Sequence, residues 1–304
     1  MASEVLRSVP GSAGRLERIL GRPERPLPLD EPLAQLAGKR VLITGAEGSI
    51  GSAAARLLDG VAQTVATDKH SGDPALDVRV ESDVAAVLAE TKPEVILHMA
   101  AAKSAPDGER DPMSALEVNV LGTRNVLAHA PDGCHVVTAS TCKACEPETA
   151  YGASKLVAER VTLNAGGSVA RFYNVVESSG NVFEIWDALA PDEPLLVTPC
   201  RRYFISLAEA VGLVLWTAIL PPARYGFDPG QPREMRDVAA DLYPGRTIRS
   251  VPPRRGDRIA EPLAARHEQV EQDARTSLLR IVGAHDLAAT DDRLEPAVRR
   301  LVIH

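Results

Sequence analysis

The chain has 304 residues, enough for one large α/β domain with a smaller lobe, and its 45% hydrophobic content supports a substantial core. The formal charge is 34 − 41 = −7, which argues against bulk attraction to nucleic acid. No apolar run reaches the roughly 18–20 residues of a membrane span, and the opening MASEVLRSVPGSAGRLERILG lacks a signal-peptide core, so the sequence predicts a cytoplasmic protein with no membrane partner.

Residues 1–38 carry prolines, arginines and two short leucine-bearing segments. They read as an arm ahead of the first strand, either packed on a neighbouring subunit or partly disordered. Lys39-Arg40 lead into VLITG, a short apolar run of the kind that forms a buried parallel strand. A helix is predicted from Ser49 to Asp59, a second strand ending at Asp68, a helix over 82–91 and a strand over 94–101. A long helix over 112–130, a strand over 134–140, a helix from Tyr151 to Leu163 and a strand over 168–175 follow. This alternation predicts an α/β fold with a parallel sheet and helices on both faces. Beyond Val175 the pattern thins: helices over 182–190 and 206–220, a strand at 195–198, mostly loops over 221–256, and a final helix over 262–278. The domain reading is an arm (1–38), a dinucleotide-binding domain (39–175) and a mainly substrate-binding lobe (176–304) that can return elements to the main sheet.

Thr44-Gly45-Ala46-Glu47-Gly48-Ser49-Ile50-Gly51 is a GxxGxxG loop that follows a predicted strand and opens a helix. Gly45 suits the tight turn, Gly48 lets backbone approach a pyrophosphate, and Gly51 permits close helix–strand packing. The amides of Ser49, Ile50 and Gly51 at the helix start are anion donors. Asp68, at the end of the second strand, can bind the adenosine ribose hydroxyls and repel a 2′-phosphate, which favours NAD over NADP, although Lys69 and His70 soften that repulsion. Asp77 and Val78 are candidates to flank the adenine, with a surface turn as the alternative. The small Ala100, Ala101 and Ala102 let a dinucleotide lie against backbone. Asn119, inside VNVLG, is a polar group that needs partners and is placed as a brace for the strand holding Ser140.

The stretch 138–155, TASTCKACEPETAYGASK, sets Tyr151 and Lys155 four residues apart, on one face of a helix. Lys155 can lower the tyrosine pKa and bind a cofactor ribose, and Tyr151 can then move a proton on or off a sugar hydroxyl. Ser140 and Thr141 can orient that hydroxyl, and Lys143 is a second cation. Cys142 and Cys145 form a CxxC, but Cys134 and Cys200 make no second close pair, so the four cysteines read as free thiols and no metal is expected.

These motifs resemble the extended short-chain dehydrogenase/reductases, and more narrowly their polysaccharide-biosynthesis branch, which includes the UDP-N-acetylglucosamine 4,6-dehydratases. The resemblance runs from about Lys39 to about His267. Its narrower carriers are AAAKSAPDGERDP (100–112), RFYNVVESSGNV (171–182), RRYFISLAEAV (201–211) and PRRGDRIAE (253–261). It implies a Rossmann-type doubly wound sheet with a C-terminal substrate-binding lobe, bound NAD, a UDP-linked nucleotide sugar and a homodimer or higher homo-oligomer. It implies that Tyr173 and Val175 line the nicotinamide pocket, that Lys103 faces the sugar or diphosphate, that Asn174 and the 175–182 turn with Ser179 and Val182 approach the sugar, and that Arg202 frames the nucleotide half. The implied cycle oxidises C4, removes the C5 proton, expels the C6 hydroxyl and returns hydride to C6. The resemblance places Thr-Asp-Lys ahead of the tyrosine, with the aspartate acting in elimination, whereas this chain has Thr141-Cys142-Lys143. A thiol's ordinary pKa of about 8.5 against about 3.9 for aspartate keeps a 5,6-ene product, C4 epimerisation and plain C4 oxidation open. So does Ser104-Ala105-Pro106, which departs from the branch's usual histidine–valine–proline. An inactive NAD-binding protein is the remaining alternative.

Overall fold

The structure, a computed structural model, describes residues 13–72 and 74–283. The chain runs through α1 (Ala13–Leu20), α2 (Asp30–Leu36), β1 (Arg40–Thr44), α3 (Ser49–Leu58), β2 (Gln63–Thr67), α4 (Glu81–Thr91), β3 (Val95–His98), α5 (Ala105–Arg110) and α6 (Pro112–Leu116). A π-helical turn (Glu117–Leu121), α7 (Gly122–His129), β4 (His135–Thr141), a 3-10 turn (Cys142–Ala144), α8 (Ala150–Asn164) and β5 (Ser168–Phe172) follow. Then come β6 (Asn174–Val175), α9 (Val182–Asp187), β7 (Leu195–Val197), β8 (Arg201–Arg202), β9 (Phe204–Ile205), α10 (Leu207–Thr217), β10 (Arg224–Gly226), β11 (Arg233–Glu234), α11 (Met235–Leu242), β12 (Ile248–Ser250), β13 (Glu268–Gln272) and β14 (Leu279–Gly283).

The main sheet has the order β13-β14-β10-β5-β4-β3-β1-β2. From β10 to β2 every pairing is parallel, and β14 and β13 close one edge antiparallel. Alternation along β1 explains why both faces are covered. Val41 and Ile43 pack with Leu57 and Leu58 of α3 and Val211 of α10, while Leu42 points the other way, to Val84 and Leu88 of α4 and Val126 of α7. The doubly wound Rossmann-type sheet is therefore present.

A second core sits under the C-terminal half. Phe183, Trp186, Leu195, Val238 and Leu242 pack there with Leu16, Ile19 and Leu20 of α1. The described part of the arm thus folds onto its own chain. Arg22 makes a two-pronged ion pair with Glu209 at 2.6 and 2.8 Å, and Trp216 donates to the Pro28 carbonyl at 2.8 Å. The amphipathic spacing of Leu16, Ile19 and Leu20 suits this docking, but its target lies more than 160 residues away in sequence.

One expectation fails. The helix expected over 262–278 is instead an antiparallel hairpin. Asp273 accepts from the amides of Arg275 and Thr276 and from the Thr276 hydroxyl, and Ser277 takes a left-handed φ of 61°. Those turn bonds compete with a helix, and the open edge of β10 supplies backbone partners for β14. The 221–256 segment is mostly loops, as expected, and also holds β10 and the α11 helix, whose Val238, Ala239 and Leu242 fill the second core. Apolar spacing in MRDVAADL marks that helix, beneath the surrounding prolines and arginines.

Candidate functional site

The glycine loop follows β1, beside the end of β3. Gly45 has φ of 70°, and a Cβ there would stand 2.5 Å from the Ala100 amide nitrogen, so the loop rides directly on the alanine run that ends β3. A Cβ on Gly51 would collide with the Gly45 carbonyl. Gly48 caps α3 in an extended conformation with no side chain satisfying the first-turn amides, and a helix start left in this way is open to an anion. Asp68 follows β2 directly: its Oδ2 accepts from the Glu47 amide at 3.2 Å and its Oδ1 from Lys69 at 2.8 Å. The carboxylate is thereby set against the glycine loop. Ala100, Ala101 and Ala102 are half-buried, and Ile50 packs on the main core. Below the loop, buried His98 bridges the hydroxyls of Thr44 at 2.8 Å and Thr123 at 3.1 Å, and burial pushes its imidazole down to about 3, so it is neutral.

Other expected cofactor residues are engaged elsewhere. Asn119 is fully buried in the π-helical turn. Its carbonyl accepts from Ala102 N at 2.9 Å, and its NH2 donates to Ala102 O at 3.1 Å and Ser154 Oγ at 2.9 Å. It therefore braces the end of β3 against the helix carrying Tyr151 and Lys155, rather than the strand of Ser140. Ser140 points away from Thr141, as strand alternation requires, and donates to Glu159 at 2.6 Å. Its hydroxyl is committed to the protein interior rather than to a sugar or cofactor. Asp77 pairs with Arg79 at 2.6 Å, and Val78 is a core residue packed against Gly122. Val78 is thus a core side chain, not an adenine wall.

The candidate reacting groups do converge. Thr141 ends β4, and its Oγ1 accepts from Lys143 N at 3.3 Å, shaping the 3-10 turn. α8 begins on the Thr149 cap, whose hydroxyl accepts from Gly152 N at 3.0 Å, and this seats Tyr151 in the first turn of the helix, beside the turn that carries Lys143. Burial raises the Tyr151 phenol above its ordinary pKa, and the Lys143 ammonium and the Thr141 hydroxyl pull against it. The cation acting most strongly on the phenol is therefore Lys143 rather than the expected Lys155. Lys155 is itself buried, and desolvation brings it down to about 8 against the pull of Glu159. Cys142 is fully buried; burial, and then the nearby Glu261 carboxylate, push its thiol up to about 12.

At the start of α3, Lys103 Nζ donates to Ser179 O at 3.2 Å and Oγ at 3.3 Å, and Ser179 N donates to Ser49 Oγ at 3.1 Å. The 176–181 turn thus lies over the start of α3. Val182 opens α9 and packs on the second core. Asn174 Oδ1 accepts from Lys143 Nζ at 3.3 Å, and its amide donates to Tyr203 O at 3.0 Å. Val175 is buried, with β6 paired to β9. Tyr173 is buried 5.7 Å from the Tyr203 ring, and its hydroxyl has no partner among the described residues.

Arg202 comes within 3.5 Å of Glu261, a residue that reasoning from sequence did not single out. Glu261 is the last residue of PRRGDRIAE, and its carboxylate is completely buried, with Lys143 at 2.7 Å. Its signal was an acid closing an arginine-rich motif. Glu159 was missed as well; it lies one turn past Lys155 on a helix whose face was read only for chemistry.

The polysaccharide biosynthesis protein family matches residues 71–282, most of the length of the chain. The chain belongs to this family. It is an extended short-chain dehydrogenase/reductase. It is 33% identical over 265 residues to the capsular polysaccharide biosynthesis protein CapD of Staphylococcus aureus, covering 75% of this chain and 44% of that protein. It is 29% identical over 205 residues to the inverting UDP-N-acetylglucosamine 4,6-dehydratase of Campylobacter jejuni, covering 61% of this chain and 60% of that enzyme. The chain spans about half the length of the curated relatives it matches first. The fold matches MoeE5 in complex with UDP-glucose and NAD, with a TM-score of 0.64 and 21% identity over 74% of this chain and 89% of that one. Among the described residues no helix is long and apolar enough to cross a membrane, and no group of histidines, cysteines and acids could hold a metal.

Proposed function

We propose that this family member is an NAD-dependent nucleotide-sugar 4,6-dehydratase acting on a UDP-N-acetylhexosamine-like substrate through a 4-keto intermediate. The observation that carries the reading is the convergence of Thr141, Lys143 and Tyr151 at the end of β4, together with the Lys103–Ser179 contact lying over the start of α3 behind the glycine loop. The likeness to the C. jejuni dehydratase and to MoeE5 supports it. The residues present fit NAD. Gly45 and Gly51 let the loop close tightly on Ala100 and on itself where a Cβ would collide, the uncapped start of α3 suits a pyrophosphate, and Asp68 suits a ribose diol. When bound, the cofactor supplies the hydride acceptor for C4. The chain's own part is to grip and deprotonate: Thr141 orients the C4 hydroxyl, Tyr151 takes its proton, and the Lys143 ammonium faces the charge that develops. The 4-ketone makes the C5 hydrogen acidic, loss of water across C5–C6 follows, and return of the hydride to C6 with a solvent proton at C5 would balance the reaction as a net loss of one water.

A second reading, C4 epimerisation or oxidation, is favoured by one observation: the residue at 142 is a buried, neutral thiol rather than a carboxylate. The experiment that separates them is mass-resolved turnover of UDP-N-acetylglucosamine with NAD in deuterated water. A product lighter by one water and carrying solvent deuterium is expected. An unchanged mass with an inverted C4, or a product lighter by two hydrogens, assigns the second reading. Failure to bind any dinucleotide or UDP-sugar by calorimetry overturns both and leaves an inactive binding protein.

Asp68→Ala is expected to weaken NAD binding tenfold or more while leaving NADP binding equal or tighter, because the substitution removes both the ribose acceptor and the repulsion of a 2′-phosphate. Parallel titrations of both dinucleotides check this; an unchanged NAD/NADP ratio removes Asp68 from the cofactor site.

A further inference from the structure

The segment 253–266 is a strap laid over the loop that carries Cys142 and Lys143. Buried Arg258 donates to Cys145 O at 2.8 Å and pairs with Glu148 at 3.0 Å, Arg266 pairs with Glu146 at 2.9 Å, and the Cys145 thiol reaches Leu263 O at 3.7 Å. On the far side of the strap, Ile259 O accepts from Arg201 N at 2.8 Å. Held between these ties, Glu261 turns its carboxylate inward with no solvent contact.

Among the described residues, the side chains that pair with that carboxylate belong to the candidate site. Lys143 Nζ lies 2.7 Å from Oε1, and Arg202 Nε 3.5 Å from the same oxygen. Asn174 Nδ2 donates to Oε2 at 2.9 Å, and the Cys142 thiol donates to Oε2 at 3.4 Å. A buried carboxylate is costly unless paired. Here burial opposes ionisation, but Lys143 and Arg202 outweigh it and hold the acid down to about 2. The carboxylate is therefore a permanent anion, and it in turn keeps Lys143 an ammonium.

We propose that Glu261 is a positioning residue for the reaction, reaching in from the C-terminal half to hold Lys143, Asn174 and the Cys142 thiol in their working arrangement. The inference rests on the nucleotide-sugar reading above. It gives the loop 141–143, which lacks the aspartate that its resemblance calls for, a carboxylate from 119 residues further along the chain. Glu261 does not replace that aspartate as a proton donor, since it carries no proton. It keeps Lys143 charged and adds to burial in keeping Cys142 neutral. The groups facing Cys142 are Glu261, Lys143, Cys145, Tyr151, Tyr173 and Tyr203, and of these Glu261 is the carboxylate and Lys143 the cation.

The test uses the full chain labelled with [3-13C]cysteine, in which the Cβ resonance of Cys142, assigned by its loss in Cys142→Ser, reports thiol against thiolate. In Glu261→Gln the Lys143 charge is unbalanced and the anion beside the thiol is gone, so Cys142 is expected to ionise at least about one pH unit lower than in the wild type. Glu261→Asp, which keeps the charge, is expected to restore most of the difference. Turnover in Glu261→Gln is expected to fall at least tenfold in kcat with KM little changed, because the loss falls on the reacting groups. An unshifted Cys142 titration in a folded Glu261→Gln protein, or an unchanged kcat, overturns the proposal. If Glu261→Gln does not fold, Lys143→Met tests the same cluster from its other side: Cys142 should then ionise at higher pH, and no movement overturns the proposal. The titration needs neither cofactor nor substrate. Wild-type protein without turnover would thus overturn the functional reading, while an unshifted thiol in an active enzyme would overturn only the role of Glu261.

Discussion

Tyr151→Phe is expected to lower kcat by about 10²- to 10⁴-fold, the range for loss of a positioned acid–base group, with the fold and NAD affinity retained. The phenol ring is buried in the first turn of α8, so its packing survives removal of the hydroxyl. The pH profile carries the sharper part of the prediction. Burial holds the wild-type phenol protonated above its ordinary range, so kcat should rise with pH as the phenol ionises. Lys143 is the largest influence in the opposite direction, so Lys143→Met should move that limb to higher pH. Steady-state rates between pH 6 and 10 on the wild type and both variants, with melting curves as a control, check the prediction. A Tyr151→Phe enzyme within threefold of wild-type kcat would remove Tyr151 from the chemistry.

Arg171→Met is expected to destabilise the protein by about 3–5 kcal/mol, the range for breaking a buried ion pair from one side, and to lower Tm by roughly 10 °C. Arg171 is completely buried and holds two acids. It grips Glu159 of α8 at 2.9 and 2.6 Å and Glu268 of β13 at 2.7 and 2.8 Å. Arg224 of β10 closes the square, at 2.7 Å from Glu159 and 3.3 Å from Glu268. Burial opposes ionisation of Glu159, but Arg171 and Arg224 prevail and hold it down to about 2, below its value in an unfolded chain of about 4.3. Because the folded-state value is the lower one, the contribution is complete above about pH 4.5 and is lost as pH falls toward 2. In Arg171→Met the acid-unfolding midpoint should therefore move to higher pH. Circular dichroism melts and acid titrations test both parts; a Tm within 2 °C of wild type would show that Arg224 alone suffices. The square also ties the β13–β14 hairpin to the helix that carries Tyr151 and Lys155. The strap with Glu261 runs directly into β13, so a loosened square should blunt turnover as well as stability.

The first half of the fold was legible because its signals are local. VLITG, EVILHMAA and CHVVTAS are short runs buried on both faces, and nothing but a parallel strand buries such a run so well. The glycine loop, Asp68 after the second strand and the Tyr151–Lys155 spacing were read from single stretches of chain, and the structure sets each where the stretch implied. The second half was harder because its elements are decided by their partners. EQVEQDARTSLLRIVG alternates weakly, and it forms a hairpin through the turn bonds to Asp273 and the open edge of β10. MRDVAADL sits among prolines and arginines, and its apolar face acquires meaning against α1 and Trp186.

The site divides in the same way. Sequence by itself determined the glycine turn between β1 and α3 and the order Thr141-Cys142-Lys143 ahead of Tyr151, since backbone conformation and helical periodicity act within a few residues. Tertiary structure alone decided which of these groups face one another. Strand alternation turned Ser140 inward to Glu159, the π-helical turn carried Asn119 to Ala102 and Ser154, and the strap brought Glu261 to Lys143. The physical reason is that a charge's state depends on what lies within a few ångströms of it in a low-dielectric interior. For Cys142, Lys143 and Tyr151 that surrounding comes from chain segments up to 119 residues away.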